Sequence, residues 1–129
     1  MILLTPDLRD RLRANAEARL AALVAETPEP DPVPVVKFFN PVGAATWLAT
    51  ELDGDGDTLF GLADLGFGTP ELRSFSLAEI ESVRLPFGLA IERDLHFSTH
   101  FRLSVWSAWA RRASPPGASP DPSADPGQG

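Results

Sequence analysis

Residues 44–77 read AATWLATELDGDGDTLFGLADLGFGTPELRSFSL, and this stretch decides the predicted fold. Two runs of mostly apolar and β-branched residues, 46–52 and 59–65, flank an acidic turn at 53–57 that contains two glycines. Apolar runs joined by a short glycine-containing turn are typical of a β-hairpin. The stretch therefore predicts two antiparallel strands, around which the other elements can be placed.

The residues before the hairpin predict a helix and a further strand. Thr5 and Pro6 suit the start of a helix, because the threonine hydroxyl can cap it and proline lacks only an N–H that would be unpaired there. Leucine and alanine then recur every three or four residues as far as Leu23, which predicts one amphipathic helix that ends before Pro28. The run 33–39 (VPVVKFF) is β-branched and aromatic and predicts a strand.

Three more elements are predicted after the hairpin. Ser76 and Glu79 have the spacing of a capping box, which predicts a short helix that Ser76 caps and to which Glu79 reaches back. Residues 89–97 alternate apolar and polar side chains like a half-buried strand, and residues 103–112 predict a final helix. Because successive strands joined by short turns pair antiparallel, we predict an α+β fold with a sheet of about four strands and the helices on one face.

The composition limits the chemistry that the chain can carry. Its 129 residues fit one domain, predicted over 1–113, while residues 114–129 are almost entirely Pro, Gly, Ser, Ala and Asp, which predicts a disordered tail. Disulfides, zinc–thiolate sites and a cysteine nucleophile are excluded because the sequence has no cysteine. The formal net charge of -7 argues against a phosphate-binding surface, so we expect no direct nucleic-acid binding.

The distribution of apolar residues predicts a soluble, cytoplasmic protein. The apolar run at residues 1–4 is too short for a signal peptide, and charged residues follow closely. No later stretch approaches the roughly 20 consecutive apolar residues that span a bilayer. We therefore expect no contact with a membrane.

The acidic turn matches a calcium loop in part. Counted from Asp53 as position 1, Asp55, Asp57 and Asp64 fall at positions 3, 5 and 12, where calcium loops carry oxygen ligands. Position 6 is Thr58 instead of the glycine that makes the sharp turn, and the flanking runs predict strands instead of helices. A solvated hairpin turn is therefore favoured and no metal site is expected, although Asp53, Asp55 and Asp57 could bind a cation weakly.

A second group of reactive side chains lies on the predicted strand 89–97. Glu92, Asp94 and His96 alternate along it and would project from one face, where two carboxylates and an imidazole could bind a metal or act as acid and base. A solvated face is favoured, because the apolar residues that alternate with them would face the core and leave the polar ones toward water.

The stretch 64–73 is predicted to be a loop that carries Asp64 and Glu71. Its glycines at 66 and 68 permit a turn or bulge, but the third glycine and the following helix of a nucleotide-binding loop are missing. Phe67 lies between them and is either an exposed anchor for a partner or, as the favoured alternative, a plug over the core. Arg93 would face inward from its strand and reach Asp64 or Glu71.

Five short motifs occur in an order that one family of bacterial proteins shares. They are PVVKFF at 34–39, ATWLATELD at 45–53, FGLADLG at 60–66, PEL at 70–72 and ERDLHF at 92–97. Over residues 3–110 the chain resembles a family of unknown function (domain of unknown function 2958), whose members are short proteins often encoded on plasmids and conjugative elements. The resemblance implies a bacterial cytosolic protein connected with mobile elements, and it supplies no catalytic residues. The chain departs from the family at the acidic turn, where relatives vary, and at Arg73, where a small residue is expected.

The function that the sequence favours is not enzymatic. We predict an accessory or protein-interaction domain associated with mobile genetic elements, with an unknown protein partner and no cofactor. The alternatives are a metal-dependent enzyme and an inhibitor of a nucleic-acid-binding defence system. The enzyme would require one polar cluster to converge in a cleft: Asp64, Glu71, Glu92, Asp94 and His96.

Overall fold

Three helices and five strands form the part of the chain that the computed structural model describes, residues 1–112. The helices are α1 (Pro6–Ala25), α2 (Leu77–Ser82) and α3 (Leu103–Arg112). The strands are β1 (Val36–Phe39), β2 (Thr46–Leu52), β3 (Thr58–Asp64), β4 (Glu71–Ser76) and β5 (Glu92–Arg93). Neighbouring strands pair antiparallel in the order β4-β3-β2-β1-β5, which confirms the α+β class. The predicted tail over 114–129 lies outside the described residues.

The predicted hairpin is confirmed as the centre of the sheet. β2 covers the predicted range, and β3 begins and ends one residue earlier than predicted. The register of the pair is regular from Thr46 to Ala49 and shifts at Thr50, which forms a β-bulge. Thr50 is fully buried and donates its hydroxyl hydrogen bond to the Phe60 carbonyl at 3.2 Å. Since a bulge bends its strand, β2 changes direction just before its last two residues.

Helices cover both faces of the sheet, so the prediction of one covered face was wrong. On β2, Trp47 and Ala49 pack in the same apolar cluster as Leu12 of α1. Leu48, between them, packs in a second cluster with Trp106 of α3. Because alternate residues of a strand point to opposite faces, α1 and α3 lie on opposite sides. β2 is apolar at successive positions, and both of its faces must therefore be covered.

β4 forms one edge of the sheet, although the sequence predicted a loop over its first three residues. Its six residues pair with β3 as far as Ser76. The side chains of its first four residues are exposed, so no apolar alternation marks it as a strand. Backbone hydrogen bonds to β3 hold β4 in place, and a side-chain pattern does not report these bonds. The sheet therefore has five strands instead of about four.

The strand predicted over 89–97 is wrong in length, because only its two central residues pair with β1 as β5. The chain turns at Asp94, whose carboxylate accepts a hydrogen bond from the backbone N–H of His96 at 2.9 Å. Leu95, which was expected to face the core, is 64% exposed. An aspartate that bonds to the backbone two residues ahead favours a turn over a strand, and this local bond overrides the alternation.

The three predicted helices are confirmed. The Thr5 hydroxyl caps α1 by accepting a hydrogen bond from the Leu8 N–H at 3.2 Å. α1 ends before Pro28, with Glu26 in the left-handed conformation at φ 57°. α3 covers the predicted range. Within residues 1–112, no helix combines the length and apolar character needed to cross a membrane.

Candidate functional site

The acidic turn between β2 and β3 is stabilised by its own carboxylates. Asp55 Oδ1 accepts hydrogen bonds from the backbone N–H groups of Asp57 and Thr58, both at 2.8 Å. Asp55 Oδ2 accepts a third from the Thr58 hydroxyl at 2.6 Å. These bonds use both oxygens of the Asp55 carboxylate within the turn, and they confirm the hairpin turn. In the described part of the chain, no three His, Cys, Asp or Glu side chains are grouped so that they could hold a metal ion.

Asp57 connects the turn to the beginning of α2. Its Oδ2 accepts a hydrogen bond from the Ser76 hydroxyl and its Oδ1 accepts one from the Ala78 N–H, both at 2.7 Å. Ser76 in turn accepts a hydrogen bond from the Glu79 N–H at 3.1 Å. The predicted cap is therefore correct for Ser76, but Asp57 supplies the second capping group expected from the Glu79 side chain. The tight turn already places the Asp57 carboxylate beside the helix N-terminus, where it also stabilises the helix dipole.

The pKa of Asp55 should show whether the hydrogen bonds of this turn are formed. Its pKa is lowered from the ordinary 3.8 to about 2 by hydrogen bonds, first from the Thr58 hydroxyl and then from the Thr58 and Asp57 N–H groups. Because the folded-state pKa is the lower one, the stabilising contribution is fully present above 3.8 and is lost as the pH falls through about 2. We expect NMR titration of the Asp55 carboxyl carbon to give a midpoint near 2. In Thr58→Val, which lacks the hydroxyl, the midpoint should rise; an unshifted Asp55 in the wild type would contradict the hydrogen-bonded turn.

The structure places the members of the predicted polar cluster on strands that are far apart in the sheet. Asp64 ends β3 and Glu71 begins β4, whereas Glu92, Asp94 and His96 lie on β5 or just after it. β2 and β1 separate β3 from β5, which at about 4.8 Å a step amounts to about 14 Å. The five side chains therefore do not meet in one cleft and do not form a convergent acid–base or metal-binding set.

Arg93 of β5 and Asp94, which follows the strand, have structural partners. Arg93 donates hydrogen bonds to the carbonyls of Ile2 and Leu3 at 2.9 and 3.1 Å. The prediction that it reaches a carboxylate of the cluster was wrong, because the chain segment before α1 lies nearer. Asp94 lies 3.9 Å from the ammonium of Lys37, in a partly buried ion pair. These contacts attach the edge strand to β1 and to the first residues of the chain.

Asp64 has a structural role at the end of β3. Its side chain is 3% exposed, and its Oδ1 accepts a hydrogen bond from the Gly66 N–H at 2.9 Å. Its Oδ2 is buried and has no hydrogen-bond partner among residues 1–112. An aspartate that accepts from the N–H two residues ahead starts a turn. Asp64 thus directs the chain out of β3 and into the following loop.

This loop exposes an aromatic side chain at one end of the sheet. Phe67 is 78% exposed, so the favoured prediction that it plugs the core was wrong. It lies between Gly66 and Gly68, whose φ angles of 90° and 76° are readily adopted only by glycine. Two left-handed residues carry the loop away from the sheet, and Phe67 projects with it instead of folding back.

Two further exposed apolar side chains accompany Phe67. Leu65 is 41% exposed, and Val42, in the loop between β1 and β2, is 48% exposed. The two loops are neighbours, because a Cβ atom added to Gly66 would lie 3.2 Å from the Cβ atom of Ala44. We call Val42, Leu65 and Phe67 the loop patch. Its three exposed apolar side chains lie on neighbouring loops, and exposed apolar patches of this kind mark interaction surfaces.

A groove of about 210 Å³ adjoins the loop patch on the α2 side of the sheet. Leu65 belongs to the patch and also lines the groove. Its walls are mainly apolar, with Trp47 and Phe75 among them. Arg73 and Glu79 add one positive and one negative charge. Apolar centres combined with charged groups are typical of protein interfaces.

A second and larger cavity, of about 570 Å³, opens at the other end of the sheet on the face that α3 covers. Apolar side chains of three elements contribute to its walls: Phe60 of β3, Leu72 of β4 and Leu103 of α3. We call it the acid-lined cavity, because four of its five charged residues are acidic: Arg19, Glu29, Asp31, Glu51 and Asp53.

The acid-lined cavity contains a partly buried ion pair, in which the carboxylate is the buried member. Arg19 Nε donates a hydrogen bond to Glu51 Oε1 at 2.7 Å, and the Glu51 residue is only 5% exposed. This bond and the charge of Glu51 raise the pKa of Arg19 above its ordinary value. Sequence reasoning missed the pair, although Glu51 is a lone acidic residue in an otherwise uncharged strand. Arg19 lies 32 positions away, so nothing local connects the two.

The wall of the cavity opposite the sheet is held together by Asp31. Its carboxylate accepts hydrogen bonds from the Ser104 N–H at 3.1 Å and from the Ser104 hydroxyl, and it thereby caps the beginning of α3. The Pro32 carbonyl accepts a hydrogen bond from the Leu103 N–H at 2.9 Å. The proline-rich segment 29–32 before β1 therefore fixes α3 beside the cavity.

These features define an α+β protein whose five-stranded antiparallel sheet is covered by helices on both faces, with the loop patch at one end and the acid-lined cavity at the other. The chain belongs to the family described as "Protein of unknown function (DUF2958)", which matches residues 3–115 and confirms the resemblance. Comparison with curated proteins and with solved structures gave no match.

Proposed function

We propose that this protein is a non-enzymatic accessory domain that binds a protein partner through the loop patch. The observation that carries the proposal is Phe67, an aromatic side chain that is 78% exposed beside two further exposed apolar side chains. An exposed phenylalanine adds little to the stability of the fold, whereas aromatic residues are enriched in protein interfaces. The loop patch is therefore better explained by binding than by folding.

The geometry of the loop supports this role. The bond from the Gly66 N–H to the Asp64 carboxylate fixes the first turn, and the left-handed conformations of Gly66 and Gly68 restrict the path on either side of Phe67. A loop that is ordered before binding loses less conformational entropy when the complex forms. The adjoining groove, with Arg73 and Glu79, offers a polar complement that would select the partner.

The wider context of the proposal comes from the family. The resemblance seen in the sequence implies a connection with plasmids and conjugative elements, and on that basis we propose that the partner is a protein of such an element or of its host. The divided polar cluster offers no support for the metal-dependent enzyme. Two arginines of α1 lie against the acidic turn: Arg9 donates a hydrogen bond to the Gly56 carbonyl within it, and Arg13 donates one to the Leu52 carbonyl just before it. The turn therefore does not form the continuous acidic stripe of a nucleic-acid mimic.

Phe67→Ala is expected to remove partner binding and to preserve the fold. Immobilised wild-type protein and the variant would be incubated with lysate of the native host, and bound proteins quantified by mass spectrometry. We expect at least one protein to be enriched by the wild type and reduced about tenfold or more by the substitution, as loss of an interface hot spot implies.

Leu95→Ala is the matched control, because Leu95 is 64% exposed and follows β5 at the opposite edge of the sheet from β4. Both variants should unfold within about 0.5 kcal/mol of the wild type, as surface substitutions normally do. Equal retention of the partner by Phe67→Ala would contradict the assignment of the loop patch. The absence of any protein specifically enriched by the wild type would contradict the interaction role.

A further inference from the structure

We infer that the acid-lined cavity binds an organic cation, a protonated amine or guanidinium that carries an apolar group. This inference goes beyond the proposed partner binding, since the cavity and the loop patch lie at opposite ends of the sheet. It concerns the cavity built by β2, β3, β4, α3 and the segment before β1, together with Arg19 of α1.

The charge of the cavity selects a cation. Four carboxylates line it, against one guanidinium. The pKa of Arg19 is raised by the hydrogen bond and charge of Glu51, and also by the charges of Asp53 and Glu29, so this one guanidinium already interacts with three of the four carboxylates. A single guanidinium cannot neutralise them all, so the residual field favours a further positive charge.

Glu51 provides the specific anchor. It is 5% exposed, yet Arg19 is the only hydrogen-bond donor that residues 1–112 supply to its carboxylate, and that bond uses Oε1. Oε2 is left with acceptor capacity on the wall of the cavity. A buried carboxylate is costly unless its oxygens are hydrogen-bonded or paired with charge. An N–H donor on a bound cation would complete this pairing.

The remaining walls suit an organic ligand and not a bare metal ion. Phe60, Leu72 and Leu103 offer apolar surface that a hydrated ion does not use. Both carboxylate oxygens of Asp31 already accept hydrogen bonds from Ser104, so Asp31 contributes negative charge to the cavity but no free ligand oxygen. The volume of about 570 Å³ lies within the range of small-molecule sites, which are mostly apolar with a few fixed polar groups. A free amine and the side chain of a lysine or arginine from another protein share this chemistry.

The test compares ligands that differ only in charge. Binding of benzylammonium, benzyl alcohol and benzoate to the full chain would be followed by NMR, with the amide signals of β2 and α3 as reporters. We expect benzylammonium to saturate at millimolar concentration, and benzyl alcohol and benzoate to bind at least about tenfold more weakly. A short peptide with one central lysine distinguishes a protein side chain from a free amine as the natural ligand. Tighter binding of the peptide than of benzylammonium indicates a protein side chain, and weaker binding indicates a free amine.

Variants assign the effect to the cavity. Glu51→Gln retains the shape of the side chain and removes its charge, and it should weaken benzylammonium binding about tenfold or more. Asp53→Asn should weaken it less and retains the hydrogen bond between Arg19 and Glu51, so it keeps the test decisive if Glu51→Gln folds poorly. Glu81→Gln, on the exposed side of α2, is the control and should bind like the wild type. Equal affinity for benzylammonium and benzyl alcohol, unchanged affinity in both cavity variants, or no saturable binding of either cationic probe would overturn the inference.

Discussion

Replacement of Gly61 by alanine is expected to destabilise the protein severely, by about 3 kcal/mol or more, because overpacking that cannot relax exceeds the usual range. A Cβ atom at this position would lie 1.8 Å from the Leu48 carbonyl oxygen and 2.9 Å from the Ala49 Cα. Both atoms belong to the backbone of β2, so no side-chain rotation relieves the overlap. β2 and β3 would have to separate at the centre of the sheet, beside the bulge at Thr50.

Gly54→Ala is the matched control for this prediction. Its added methyl group would meet only a side-chain nitrogen of Arg13, at 4.0 Å, and its backbone lies outside the left-handed region. Chemical denaturation should show a much lower midpoint or no cooperative transition for Gly61→Ala, and a nearly unchanged curve for Gly54→Ala. Similar stability of the two variants would show that β2 and β3 do not approach each other as closely as described.

Trp106→Ala is expected to release α3 from the sheet, with a loss of about 3–5 kcal/mol, as for other large-to-small core substitutions. Trp106 is 2% exposed and packs against Trp109 at a ring-centroid distance of 5.9 Å. Its indole N–H donates a hydrogen bond to the Thr99 hydroxyl at 3.2 Å. Since α3 also supplies Leu103 to the acid-lined cavity, the substitution should weaken cation binding as well as folding.

Two further variants separate packing from helix propensity. Trp106→Phe keeps an aromatic ring but loses the bond to Thr99, so it should fall between the wild type and Trp106→Ala. Val105→Ala changes a side chain that is 40% exposed on the other side of α3, and it should cost less than about 1 kcal/mol. Thermal unfolding followed by near-ultraviolet circular dichroism would rank the variants. A Trp106→Ala protein as stable as Val105→Ala would contradict the docking of α3.

The candidate sites were only partly predictable. Sequence reasoning singled out the loop that contains Phe67, because two glycines around one aromatic residue are unusual, but it favoured the buried orientation. It did not find the acid-lined cavity. Glu51 could have been noted as a charge in an apolar strand, yet its partner Arg19 comes from another element. The polar cluster that was predicted from the sequence is divided in the structure, because its members lie on strands that are not neighbours. The order of strands in the sheet does not follow from the residues themselves.

The sequence by itself determined the local elements: the three helices, the cap by Ser76 and the central hairpin. Each of these depends on residues within a few positions of one another, whose backbone preferences and hydrogen bonds are set locally. The tertiary structure alone decided the pairing of β4, the shortness of β5, the covering of both sheet faces, the exposure of Phe67 and the Arg19–Glu51 pair. These depend on contacts between segments far apart in the chain, and only the assembled sheet brings those segments together.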